Sequence, residues 1–131
     1  MPMPEPHIPR VTIQHVKRLM DGGASFYLMD VRHRPDSTQI KGAIYYDPDD
    51  LLAAEHIQLP VPKDLPVFLY CTSLHEGTSA AIARKLLAEG HAHVHPIMGG
   101  YGPWRRRKIG YPIERRGQEK ASFGSPYRPL G

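Results

Sequence analysis

The chain carries one cysteine, Cys71, and the residues on either side give its thiol a setting in which it could react. Ahead of it runs Val67-Phe68-Leu69-Tyr70, apolar and bounded upstream by Pro66. Behind it come a polar, glycine-containing stretch and then Ser79 to Glu89, where Ile82, Ala83, Leu86 and Leu87 recur at helical spacing before Gly90. A thiol between a strand and a helix faces successive backbone N–H groups and the positive end of the helix dipole. Both favour a thiolate, and both can hold an anion beside it. That is the setting of a covalent nucleophile, which predicts an accessible, reactive thiol. A buried cysteine acting as a small hydrophobe is the common alternative, and the residues alone leave both readings open. With a single cysteine there is no internal disulfide and no metal site built on paired thiolates.

Other residues offer less. His91, His93 and His95 alternate and could share one face of a strand, but such a trio at the start of a strand reads as solvated, so no metal is expected. His75 could move protons at Cys71, yet a histidine in a polar stretch is by default a surface residue. Trp104 reads as packing against a sheet, with a stacking platform for bases the weaker alternative. Arg105-Arg106-Arg107-Lys108 reads either as a solvated helix end or as a docking patch for an acidic partner.

The elements that must position these residues can be read in order. Residues 1–10 are proline-rich and extended. Thr12 looks like an N-cap, followed by Ile13, Val16, Leu19 and Met20 at helical spacing and by Gly22-Gly23 as a stop. Phe26–Met29 reads as a buried strand ending in Asp30, and Ala43–Tyr46 as a second. Asp47-Pro48-Asp49-Asp50 offers a helix start, with Leu51 to His56 as one or two turns. Val94–Ile97 is a further strand, Gly99-Gly100 a turn, and Tyr101–Arg107 a short helix. Strands alternating with helices predict an α/β fold with a parallel sheet between helices. At 131 residues, 40% hydrophobic and 23% charged, the chain has room for one ordinary globular domain.

Charge is unevenly spread. Residues 1–104 hold nine Lys/Arg against eleven Asp/Glu, and residues 105–131 hold eight against two. The basic end reads as solvated, without the regular aromatic interleaving of a nucleic-acid binder. No run of residues is long and apolar enough for a membrane span, and Met1-Pro2-Met3-Pro4-Glu5-Pro6 lacks the pattern of a secretory signal. A cytoplasmic protein is expected.

Taken in order, the motifs resemble those of the rhodanese family over roughly Val11 to Ile113. Asp30-Val31-Arg32 resembles its D-V-R, Thr38 to Ile44 its G-H-I-x-G-A-I with glycine and histidine replaced, and Tyr70-Cys71 its strand and catalytic cysteine. Ser79 to Ala83 is similar to the helix after the active-site loop. Gly99-Gly100, Trp104 and Gly110-Tyr111-Pro112-Ile113 are similar to the family's closing pattern. The resemblance implies a three-layer α/β/α fold with a five-stranded parallel sheet. It further implies sulfur transfer through a persulfide on Cys71, with no cofactor and with Asp30 and Arg32 bracing the loop.

The loop departs from the commoner pattern of Cys, four residues, Arg and Ser. Seven residues, Thr72, Ser73, Leu74, His75, Glu76, Gly77 and Thr78, separate Cys71 from Ser79, and Thr78 stands where the arginine would be. Some rhodanese-like domains carry such a longer loop ending in Glu-x-(Thr/Ser)-Ser, similar to Glu76 to Ser79. Without the arginine, and with Glu76 repelling anions, weak use of thiosulfate is expected, and a neutral or bulky persulfide donor is favoured. The related cell-cycle phosphatases need an arginine in this loop, so phosphatase activity is not expected. The expected function is a sulfurtransferase or persulfide carrier, taking sulfur from a small-molecule or protein persulfide and passing it to a thiol. The alternative is a non-catalytic module that binds a partner protein. The expected organisation is an extended segment over 1–10, the domain over 11–113 and a basic, Gly/Pro-rich tail over 114–131. That tail is predicted to be dispensable for the fold, with Phe123, Tyr127 and Leu130 as the side chains that could anchor it.

Overall fold

The structure, a computed structural model, describes residues 8–72, 77–117 and 119–123. In chain order the elements are α1 (Ile13–Asp21), β1 (Tyr27–Asp30), β2 (Thr38–Ile40), β3 (Ile44–Tyr45), α2 (Pro48–Ala53), β4 (Val67–Tyr70), α3 (Gly77–Ala88), β5 (Val94–Pro96), α4 (Tyr101–Arg106) and β6 (Ile113–Arg115). Local chemistry explains the boundaries. The Thr12 side chain accepts from the His15 N–H at 3.0 Å and opens α1. The Asp47 carboxylate accepts from the N–H groups of Asp49 and Asp50, and Pro48 takes the first helical position, so α2 starts within the predicted Asp47–Asp50 stretch and ends at Ala53, short of His56. The third helix begins at Gly77, two residues before Ser79.

Strands β3, β1, β4 and β5 form a parallel sheet in that order. The predicted fifth strand is reduced to a single bridge. The Val11 N–H donates to the Pro96 carbonyl at 3.0 Å, and the Met98 N–H donates to the Val11 carbonyl at 2.8 Å. Pro9 lacks a donor on one side of Val11, and Thr12 must leave the sheet to cap α1 on the other, so pairing cannot spread.

Side chains alternate along β4. Val67 and Leu69, followed by Cys71, point to one face, where they pack with Leu51 of α2 and Ile82, Ala83 and Leu86 of α3. Phe68 and Tyr70 point to the other, among Ile13 and Val16 of α1 and Tyr101 and Trp104 of α4. Helices therefore cover both faces, giving the three layers predicted. Trp104 is fully buried, its indole N–H donating to the Pro112 carbonyl at 3.0 Å.

A second, two-stranded antiparallel sheet was not legible in the sequence. Strand β2 pairs with β6 in the register Thr38↔Arg115 and Ile40↔Ile113. The Glu114 carboxylate holds it in place, accepting from the Gln39 side-chain amide at 3.0 Å and the Gly42 N–H at 2.7 Å. Further along, the Ala121 N–H donates to the Tyr45 carbonyl at 2.7 Å, and the Phe123 carbonyl accepts from the Gln58 N–H at 3.0 Å. Ala121 and Phe123 pack against the Cys71-side core. Tyr127 and Leu130 lie outside the described residues.

Candidate active site around Cys71

Strands β1 and β4 end level, because Asp30 pairs with Tyr70 and the Val31 N–H donates to the Tyr70 carbonyl at 2.9 Å. The residues that follow each strand therefore leave the sheet side by side. They enclose a cavity of about 250 Å³ lined by His33, Arg34, Cys71, Thr72 and Thr78. Cys71 is only 4% exposed. The accessible thiol expected from the sequence is instead nearly buried and lines this cavity, because the strand's alternation turns its side chain toward α3.

Cys71 is held through both its side chain and its backbone. The Cys71 S–H donates to the Ser79 hydroxyl at 3.8 Å, and Ser79 lies fully buried in the first turn of α3. The Cys71 carbonyl accepts from the Tyr101 N–H at 3.0 Å, tying the end of β4 to the start of α4. Thr72 and Gly77 are exposed and Thr78 is half-buried at the cavity. Ser73, Leu74, His75 and Glu76 lie outside the described residues.

Asp30 and Arg32 meet as a buried, two-pronged ion pair. Arg32 Nε donates to Asp30 Oδ1 at 2.9 Å and Nη2 to Oδ2 at 2.6 Å. Nη2 also donates to the Thr38 carbonyl at 2.7 Å, and the guanidinium lies 4.3 Å from the Tyr101 ring centre and 5.6 Å from that of Tyr70. The Tyr70 hydroxyl donates to Asp30 Oδ2 at 3.1 Å and accepts from the Ile40 N–H at 3.1 Å. Burial works against the Arg32 charge, but the hydrogen bond and charge of Asp30 outweigh it and hold its pKa above the ordinary value. Burial and the adjacent Asp30 carboxylate push Tyr70 well above its ordinary range, so it stays a neutral donor. Among the described residues the pair reaches Cys71 through Tyr101 and the strand ends, with no direct bond to Thr72, Gly77 or Thr78.

The three alternating histidines go to different surroundings. His91 is buried and neither ring nitrogen has a hydrogen-bond partner. His93 is exposed, and His95 Nδ1 pairs with the Pro9 carbonyl at 2.8 Å. No group of three His, Cys, Asp or Glu among the described residues is placed to hold a metal ion. No helix among them is long and apolar enough to cross a membrane. A larger cavity of about 450 Å³ lies between α1 and α4 and shares no residue with that at Cys71.

Arg34, His33 and Tyr101 escaped the reading of the sequence. The usable signal was the end of β1. In a parallel sheet, residues just past one strand must flank those just past its neighbour. Asp30-Val31-Arg32-His33-Arg34 therefore belonged beside Cys71 as a unit, and only its first and third residues were singled out.

The chain matches the family model of the Rhodanese-like domain over residues 12–107. No curated protein matches it in sequence. Among solved structures, the Rhodanese-like domain of an Anabaena sp. protein superposes with a TM-score of 0.65 at 22% identity, covering 95% of this chain and 96% of that one. A Rhodopseudomonas palustris protein of unknown function, described as a possible tyrosine phosphatase, gives 0.63 at 26% identity, covering 87% and 99%. A thiosulfate sulfurtransferase from Pseudomonas aeruginosa gives 0.63 at 22%, over 82% of this chain but 20% of that one. With the family model spanning most of its length, this chain belongs to the rhodanese-like domain family.

Proposed function

We propose that the protein carries sulfane sulfur as a persulfide on Cys71. The observation that supports this most is the thiol's place at the carboxyl end of β4, where it forms one wall of a cavity and is backed by Ser79. In the first step the Cys71 thiolate attacks the outer sulfur of the donor. A new S–S bond forms at Sγ, the donor's own S–S bond breaks, and its electron pair leaves with the thiolate or sulfite that departs. In the second step an acceptor thiolate attacks the outer sulfur and takes it, and Cys71 leaves as the thiolate it began as. Splitting the transfer in this way replaces one difficult encounter by two easier ones. When Cys71 has lost its proton, the Ser79 hydroxyl can turn to donate to it.

The neutral Thr78 in place of the family's arginine favours a second reading, a partner-binding module without turnover, with the exposed Arg105 to Lys108 as a patch for an acidic protein. Turnover from a persulfide donor to a thiol acceptor separates the two, followed as the sulfide set free when a second, excess acceptor thiol attacks the acceptor persulfide and forms a disulfide. Wild type is expected to turn over and Cys71→Ser to be inactive. Equal background rates for both would favour the binding module.

A further inference from the structure

We infer that Arg34 binds the anionic end of the sulfur donor, making it the specificity-determining residue of the Cys71 cavity. The inference rests on the reading of Cys71 as a sulfur carrier and adds the charge class of its donor. Four observations support it. Arg34 lines the same cavity as Cys71, so a molecule that fills the cavity to reach the thiol also meets this residue. Among the described residues Arg34 is exposed and makes no hydrogen bond or ion pair, whereas the neighbouring cations are committed. Arg32 is bound to Asp30, Arg105 pairs with Asp36 at 2.9 Å, Arg116 donates to the Asp36 carbonyl, and His33 pairs with Asp49 at 3.0 Å. The remaining described walls, Thr72 and Thr78, bring hydroxyls and no carboxylate. Finally, the position has a structural cause: with β1 and β4 ending level, the chain leaving Asp30 must pass the thiol.

The cation that the sequence places nowhere in the loop thus comes from a different loop, and the expectation of weak thiosulfate use changes with it. For thiosulfate, the Cys71 thiolate forms a bond to the outer sulfur, the donor's S–S bond breaks, and sulfite leaves with the electron pair and two negative charges. An arginine beside the departing sulfonate stabilises both the bound donor and the charge that gathers as the bond breaks.

The test uses two measurements on the full chain, in wild type, Arg34→Gln and Arg34→Lys. The first is the ratio of Cys71 alkylation rates by anionic iodoacetate and neutral iodoacetamide, in which thiol reactivity cancels and local charge remains. The second is the rate at which thiosulfate adds one sulfur to Cys71, read by intact mass. We expect Arg34→Gln to lower the ratio by about threefold to tenfold, less at high salt. The thiosulfate rate should fall alongside it, with Arg34→Lys retaining most of both. An unchanged ratio, or a lowered ratio with an unchanged thiosulfate rate, overturns the role of Arg34 while wild type still gains sulfur. A wild type that gains sulfur from a neutral persulfide donor but none from thiosulfate overturns the anionic donor class and leaves the sulfur-carrier reading standing, whereas one that gains none from either donor overturns both.

Discussion

Arg32 and Arg34 stand two residues apart at the end of the same strand and lead different lives. Arg32 is 2% exposed, forked onto a fully buried carboxylate, with its guanidinium over the Tyr101 ring and near that of Tyr70. Arg34 is exposed at a cavity and makes no bond among the described residues. One side of the site is a closed polar network in which Asp30, Arg32, Tyr70, Thr38 and Tyr101 satisfy one another. The other is a hollow where a thiol and a cation face space that a ligand can enter. A buried charge with every partner in place holds shape, while an exposed one without partners is available to bind.

Removing each arginine in turn should separate the two roles most widely. Arg32→Ala leaves Asp30 buried without a counter-charge, and a loss of about 3–5 kcal/mol is expected in urea unfolding. Arg34→Ala touches no such partner and should stay within about 0.5 kcal/mol of wild type. Similar losses for both would end the distinction between brace and binding residue.

A smaller effect concerns the far end of the chain. The sequence predicts that the tail is dispensable, because residues after Ile113 show no apolar periodicity. Phe123 is nonetheless half-buried against the core, 6.4 Å from Tyr46 between ring centres, and Ala121 bonds to Tyr45 at the end of β3. Phe123→Ala should therefore cost about 1–2 kcal/mol of stability. Truncation after Gly117 should cost at least as much. A truncated chain that melts with wild type would restore the sequence expectation.

His91 is the opposite case to Arg32, a buried polar group whose ring nitrogens have no hydrogen-bond partner. Burial, helped by Lys63 and opposed by Glu89, pulls its pKa below the ordinary value. The unfolded chain then takes up the proton first, so the folded state is favoured above the free-histidine value of about 6.5 and loses stability as pH falls below it. The slope from this group is at most about 1.4 kcal/mol per pH unit. Unfolding midpoints measured from pH 7.5 to 5 should fall in wild type, and more weakly in His91→Leu. Equal slopes in the two proteins would place the titration elsewhere.

What could be read in the sequence follows the physics of each element. Val67–Tyr70 was legible to the residue because it is apolar on both faces and ends at a polar loop. The cap at Thr12 and the helix after it were legible because local side chains decide them. Strands β2 and β6 were not, since a short pair with exposed residues carries no apolar alternation and is held by Glu114 across a long stretch of chain. At the site, Cys71, Asp30 and Arg32 were found through motif position. Arg34 was not, because its meaning comes from the register between two strands and from what Arg32, two residues before it, already binds. The loop after Cys71 holds no arginine or lysine, whereas the neighbouring strand β1 leads on to Arg34.

Intact mass shows most directly whether Cys71 carries sulfur. Wild type exposed to a sulfane-sulfur donor should gain the mass of one sulfur, lose it on addition of an acceptor thiol, and gain it again with fresh donor, while Cys71→Ser gains nothing. A wild type that stays at its original mass with every donor, or an added sulfur that persists in Cys71→Ser, would contradict the account.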